Sequence, residues 1–258
     1  MVISIVLLAS NGYLPLGIRF IKKFLYYYRG NSNVKFYIFG NEDPYQYLSD
    51  EESKYVSPVY YKCRSWSDGV YAKYTNILSL RNIISNYIFY FDADTDIVSP
   101  FDEKWFIGDM CASEHFDNKI GMKDQKPYDR YARSSCYIGY DTKLDQQYYH
   151  AQFFGGKKQN ILNFCTKIIG LIDRNKKHKH EPIWNDESYI NFYFHKNPPT
   201  KMIEYKNFQF RVSDKGGIEN LRNPKLDITF LKKRMIKNRN NIYDLIDGRI
   251  SNILKNTT

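Results

Sequence analysis

Cysteine is scarce and scattered in this 258-residue chain: Cys63, Cys111, Cys136 and Cys165 form no CxxC pair. That spacing argues against a disulfide framework or a thiolate zinc site and predicts reduced, buried thiols. Long apolar runs are also missing. The opening MVISIVLLAS has no basic flank or small-residue cleavage site and is too short to cross a bilayer. It therefore predicts a buried strand rather than an anchor or leader. No other stretch approaches a transmembrane length, so the expectation is a soluble or at most peripheral chain; the reduced thiols point to a cytoplasmic location, with any membrane contact at the inner face. A net charge of +10 comes without a helix-turn-helix, RRM or zinc-finger pattern, so no nucleic-acid partner is expected. There is no internal repeat.

What is present has a globular balance, with 43% apolar, 17% aromatic and 26% charged residues. The 24 tyrosines, alongside frequent Asn, Lys and Ile, read as the composition of an AT-rich genome or as platforms for stacking sugars. Val2–Leu8 and Val34–Phe39 read as strands, with a helix over Pro15–Tyr28 capped by Gly30. A helix over Val70–Ile84 precedes a nearly all-apolar strand at Tyr87–Phe91. Asp102–Gln147 shows no period. Tyr148–Phe154 reads as a strand closed by Gly155-Gly156, then come a helix over Asn160–Ile172 and a basic loop from Arg174 to His180. A helix near Asp186–Phe194 and late strands at Met202–Tyr205 and Phe208–Val212 complete the pattern. Alternating strands and helices predict an α/β sheet with parallel character, which binds ligands at the carboxyl ends of its strands. From Lys225 the chain carries eight Lys/Arg against three Asp, half of the net charge, with a loose apolar stripe. Such a basic, helical tail is expected to lie on anionic membrane, to pack back on the domain or to stay disordered.

Three segments carry chemistry. Asp92-Ala93-Asp94 directly follows the strand YIFYF. Two carboxylates at a strand end suit a hard divalent cation held against a diphosphate. Asp96 reads as a supporting or structural acid. Glu181–Ser188 sets Glu187 close to Trp184, and a carboxylate beside an aromatic ring suits a sugar site; Asp186 alone reads as a helix N-cap. Tyr148–Gly156 combines His150, Ala151 and Gln152 with paired glycines that permit close backbone approach or a tight turn. Lys176–His180 reads as a solvated basic loop, and Arg130 and Arg133 as cleft residues or partners of Asp129.

In order, Trp66-Ser67-Asp68, Asp92-Ala93-Asp94, Tyr148–Gly156, Trp184-Asn185-Asp186-Glu187-Ser188 and Leu221-Arg222-Asn223 resemble the motifs of glycosyltransferase family 6. The family comprises retaining α1,3-galactosyl- and N-acetylgalactosaminyltransferases of the blood-group A/B type and bacterial relatives. The likeness covers roughly residues 60–224. It implies a single GT-A, Rossmann-like α/β domain over 1–224 and a basic tail over 225–258. It also implies transfer of Gal or GalNAc from a UDP-sugar to an oligosaccharide or glycolipid, with the α-configuration kept. Asp92 and Asp94 would hold Mn²⁺ or Mg²⁺, and Glu187 would lie under the anomeric carbon as nucleophile or stabiliser. Tyr13, Asp68, Lys73, Ala93, His150, Ala151, Gln152, Asp186, Lys215 and Arg222 would contact the donor. Trp184 and His115 would contact the acceptor. There are departures from the family pattern. Asn185 replaces the usual His, and Gln152 is larger than the usual Gly or Ala. Lys73 stands where an Arg engages the donor, without that residue's planar fork.

Overall fold

The computed structural model of the chain describes residues 1–97, 99–115, 128–139, 147–203 and 210–212. In chain order these form β1 (Val2–Leu8), α1 (Leu14–Tyr27), β2 (Asn33–Gly40), α2 (Asp50–Ser53), β3 (Val56–Tyr60) and α3 (Trp66–Ser79). Then come β4 (Tyr87–Asp92), β5 (Thr95–Ile97), β6 (Met110–Glu114), β7 (Tyr149–Lys157) and α4 (Lys158–Lys177). The last are α5 (Asn185–Lys196), β8 (Lys201–Ile203) and β9 (Phe210–Val212). A seven-stranded sheet runs in the order β3-β2-β1-β4-β7-β6-β8, and β5 pairs with β9 apart from it. The result is mixed α/β, consistent with a GT-A-like, Rossmann-type fold. No described helix is long and apolar enough to cross a membrane. The chain divides into two compact units.

The first unit is built from Met1–Gly69 and Phe91–Glu103, together with β9. β1 runs parallel to β2, and β2 to β3, as expected for strands joined by crossovers. Ile3, Ile5, Val6 and Leu7 are fully buried, which explains why β1 reads as an unbroken apolar run. α1 carries Pro15 in its first turn, where no hydrogen bond is lost. It buries Phe20, Ile21 and Phe24, and Phe24 meets Phe36 and Phe101 edge-on at 5.2 and 4.9 Å. The helix is capped by Tyr28 in an extended conformation, so Gly30 is not its cap.

The second unit comprises the described parts of Val70–Tyr90 and Lys104–Phe208. β6 runs antiparallel to β7 and parallel to β8. Sequence predicts irregular chain here, but β6 is short and buried at four of its five positions, so no alternation marks it. β7 also departs from expectation, passing through Gly155-Gly156 to Lys157 instead of turning there. A Cβ at Gly155 would lie 2.0 Å from the Phe89 ring and 2.7 Å from the Ile88 carbonyl. Gly156 has φ 151° and abuts the Asp109 carbonyl. The glycines therefore serve close packing within the sheet. α4 takes in Arg174–Lys177, predicted as loop, because cations in a last helical turn complement the exposed carbonyls. Tyr74, Tyr90, Tyr128, Tyr148, Tyr149 and Tyr189 are all buried, so many of the tyrosines fill core.

Candidate functional site

In the first unit, loops at the carboxyl ends of β1, β2 and β3 are tied together. Asn11 (φ 54°) and Gly12 (φ 93°) make a left-handed turn that leads into Tyr13, the N-cap residue of α1. Asn41 Oδ1 accepts from the Asn11 backbone N–H and the Ser10 hydroxyl at 2.8 and 2.9 Å. Asn11 donates its side-chain amide to the Cys63 carbonyl, and the Cys63 N–H donates to Ser10 Oγ. Beyond this lies Asp68, whose carboxylate accepts the Arg64 N–H at 2.9 Å and whose own N–H donates to Ser65 Oγ. Ser65 thus caps the start of α3, and Asp68 in the first turn bonds back to the chain before the helix. Sequence reasoning does not single out Asn11 or Asn41; Asn-Gly after an apolar run is the signal it had available.

β4 delivers Asp92, and Ala93 and Asp94 form the turn after it. Asp92 and Asp94 are partly exposed, while Ala93 between them is buried. Asp96 is instead fully buried and takes Lys23 at 2.6 Å, which makes it a structural acid. Two accessible carboxylates with no soft ligand are a donor set for a hard divalent cation, so these residues fit the Mn²⁺ or Mg²⁺ that the resemblance implies.

The second unit gathers more of the predicted residues. Lys73 on α3 pairs with Asp186 on α5 at 2.6 Å, and both side chains are largely buried. Lys73 Nζ also donates to the Ala151 carbonyl at 3.3 Å and lies over the Tyr90 ring. Asp186 is thus not the N-cap of α5; Trp184 takes that place, leaving Asp186 in the first turn. The His150 ring stacks on His115 with centroids 4.7 Å apart. His115 Nε2 lies 3.5 Å from Glu187 Oε1. α5 is held to β7 by buried Asn191, which accepts from the Tyr149 N–H and donates to the carbonyls of Tyr149 and Glu187.

Burial, then the neighbouring His115 and Lys73, hold the His150 pKa down to about 3. The ring is therefore neutral at physiological pH. Its Nδ1 accepts the Gln152 N–H at 3.1 Å, so the proton sits on Nε2 and that atom is a donor. His115, His150 and Glu187 bring potential ligand atoms within 4.8 Å of one another. They fit a metal poorly, because ligation through His150 Nε2 would cost the Gln152 hydrogen bond and the Lys73 charge repels a cation. Gln152 Oε1 is buried without a hydrogen-bond partner among the described residues. Trp184 and Ile183 are 50% and 65% exposed, an apolar surface at the head of α5.

Asp129 pairs with His180 at 2.9 Å rather than with Arg130, which donates to the carbonyls of Ile138 and Gly139. His180 is thereby drawn out of the expected solvated patch. Lys215, Arg222 and the tail over 225–258 lie outside the described residues.

The family model for glycosyltransferase family 6 matches residues 2–209. The O-antigen biosynthesis glycosyltransferase WbnI of Escherichia coli is 26% identical over 178 residues, covering 66% of this chain and 72% of that protein. The globoside alpha-1,3-N-acetylgalactosaminyltransferase 1 of Homo sapiens is 27% identical over 118 residues, covering 46% of this chain and 33% of that protein. This chain therefore aligns with only a third of the human relative's length. Most of the chain falls within one family's pattern, and that span includes the carboxylate turn after β4 and the acids at the start of α5. The chain belongs to glycosyltransferase family 6.

Proposed function

We propose that this transferase moves galactose or N-acetylgalactosamine from UDP to a glycan hydroxyl, with retention and an α1,3 linkage. The observation that carries the reading is the cluster of Glu187, His115, His150, Asp186 and Lys73 in one unit. Glu187 supplies negative charge to the anomeric carbon as the bond to UDP breaks. His115 flanks that charge, with Nε2 at 3.5 Å from Glu187 Oε1. Lys73 holds Asp186 ready to accept from sugar hydroxyls. The His150 Nε2–H donates to the hydroxyl or amide at C2, and Trp184 offers a face for the acceptor ring. Asp92 and Asp94 would hold Mn²⁺ or Mg²⁺, which supplies positive charge against the departing diphosphate. Tyr13, Asp68, Ala93, Lys215 and Arg222 complete the donor contacts in this reading. The relatives' names, an α-1,3-N-acetylgalactosaminyltransferase and an O-antigen glycosyltransferase, support the linkage and a carbohydrate acceptor.

The test is UDP release over a panel of UDP-sugars and glycan acceptors, with Mn²⁺ and with EDTA. Release from UDP-Gal or UDP-GalNAc that needs both acceptor and Mn²⁺ is expected. Preference for UDP-glucose would overturn the donor assignment, and full activity in EDTA the metal role. The reading includes a cytoplasmic catalytic domain over 1–224 and a basic tail that reaches anionic lipid. Sedimentation with anionic vesicles, for the full chain and for a chain ending at Pro224, checks the tail.

A further inference from the structure

α1 carries two cations one turn apart, Arg19 and Lys23, and leaves them only 2% and 4% exposed. Burying charge is costly unless opposite charge and hydrogen bonds compensate. Lys23 has Asp96 at 2.6 Å. Arg19 donates Nη2 to the Asp94 carbonyl at 3.2 Å, while its Nε and Nη1 are buried with no hydrogen-bond partner among the described residues. An apolar side chain in that place would serve the core better than a guanidinium with two donors unmet among the described residues. The hydrogen bond Arg19 does make falls on the two-carboxylate turn. We propose that Arg19 is a positioning residue for divalent-cation binding, pinning the Asp94 backbone so that Asp92 and Asp94 keep a chelating arrangement. Behind the turn, the Lys23–Asp96 pair anchors β5 to the same helix.

The inference rests on reading Asp92 and Asp94 as the metal ligands, and the experiment separates the two. Mn²⁺ uptake by the full chain in the presence of UDP is followed by the electron paramagnetic resonance of free Mn²⁺, with unfolding midpoints measured alongside. Arg19→Gln should weaken Mn²⁺ binding by about tenfold or more, as expected for loss of a charged hydrogen bond. Arg19→Lys, which keeps a cationic donor, should lose only about threefold. A purely structural role would lower the unfolding midpoint and leave the folded protein's Mn²⁺ affinity unchanged. Arg19→Gln binding Mn²⁺ like the wild type, while Asp94→Asn does not bind it, overturns the positioning role alone. Equal uptake by wild type and Asp94→Asn overturns the metal reading, and this inference with it. Should Arg19→Gln fail to fold, wild-type affinity in Arg19→Lys overturns the proposal and a threefold loss sustains it.

Discussion

Glu187 sits in the first turn of α5, with its carboxylate near His115 and its carbonyl accepting from Asn191. Glutamine keeps the shape of that side chain and removes only the charge. If the charge meets the anomeric carbon, Glu187→Gln should lower turnover by on the order of a thousandfold with UDP binding preserved. Calorimetry with UDP beside steady-state rates checks both halves, and unaltered turnover would remove Glu187 from the chemistry. Asp186 calls for the opposite reasoning, since its neighbour depends on it. Asp186→Asn leaves the Lys73 ammonium buried without its counter-charge, at a cost of about 3 kcal/mol. Chemical denaturation should show that loss, and a Lys73→Met, Asp186→Leu double variant should recover much of it. The pair is not legible in sequence. Lys73 and Asp186 stand out separately through the family's motifs, but their spacing says nothing of a 2.6 Å contact.

Elements reach the site through unlike devices. α5 docks on β7 because the Asn191 side chain imitates a strand, bonding both backbone groups of Tyr149. Asn191→Leu keeps the volume and strands a buried N–H and C=O, a loss of about 3 kcal/mol. Because the same amide holds the Glu187 carbonyl, turnover should fall more than unfolding accounts for. Rates measured well below the melting range distinguish the two effects. Element reading from sequence succeeds where a period or an apolar run exists, as in β1, α1 and β4. It fails at β6, whose near-uniform burial erases alternation, and at Gly155-Gly156, where a turn signal proves to be close packing on Phe89 and the Asp109 carbonyl. In α4 the cations of the last turn look like loop because their helical role shows only once the helix end is known. Asn191 gives no signal at all, since an Asn inside a helical pattern commonly faces solvent.

For the molecule as a whole, the family's ordered motifs make the class legible, while the state of its ionisable groups depends on burial that sequence does not record. His150 is the clearest case. Its pKa is held at about 3 in the folded chain, against an ordinary value of 6.5 that the unfolded chain regains. Between those limits the unfolded state binds a proton that the folded state refuses. Stability therefore rises with pH across this window and is lost as pH falls below about 6.5. Going from pH 7.5 to pH 5 should cost about 2 kcal/mol through this residue alone, at 1.36 kcal/mol per pH unit. Asn at this position keeps an acceptor for the Gln152 N–H and does not titrate. His150→Asn should accordingly lose about 2 kcal/mol less than the wild type over the same interval, measured by urea unfolding at the two pH values. Parallel losses in the two proteins would mean that His150 takes up a proton in the folded state. Its Nε2–H would then belong to an imidazolium, a stronger and charged donor to the sugar's C2 substituent, and the ring would not be the neutral one its surroundings enforce.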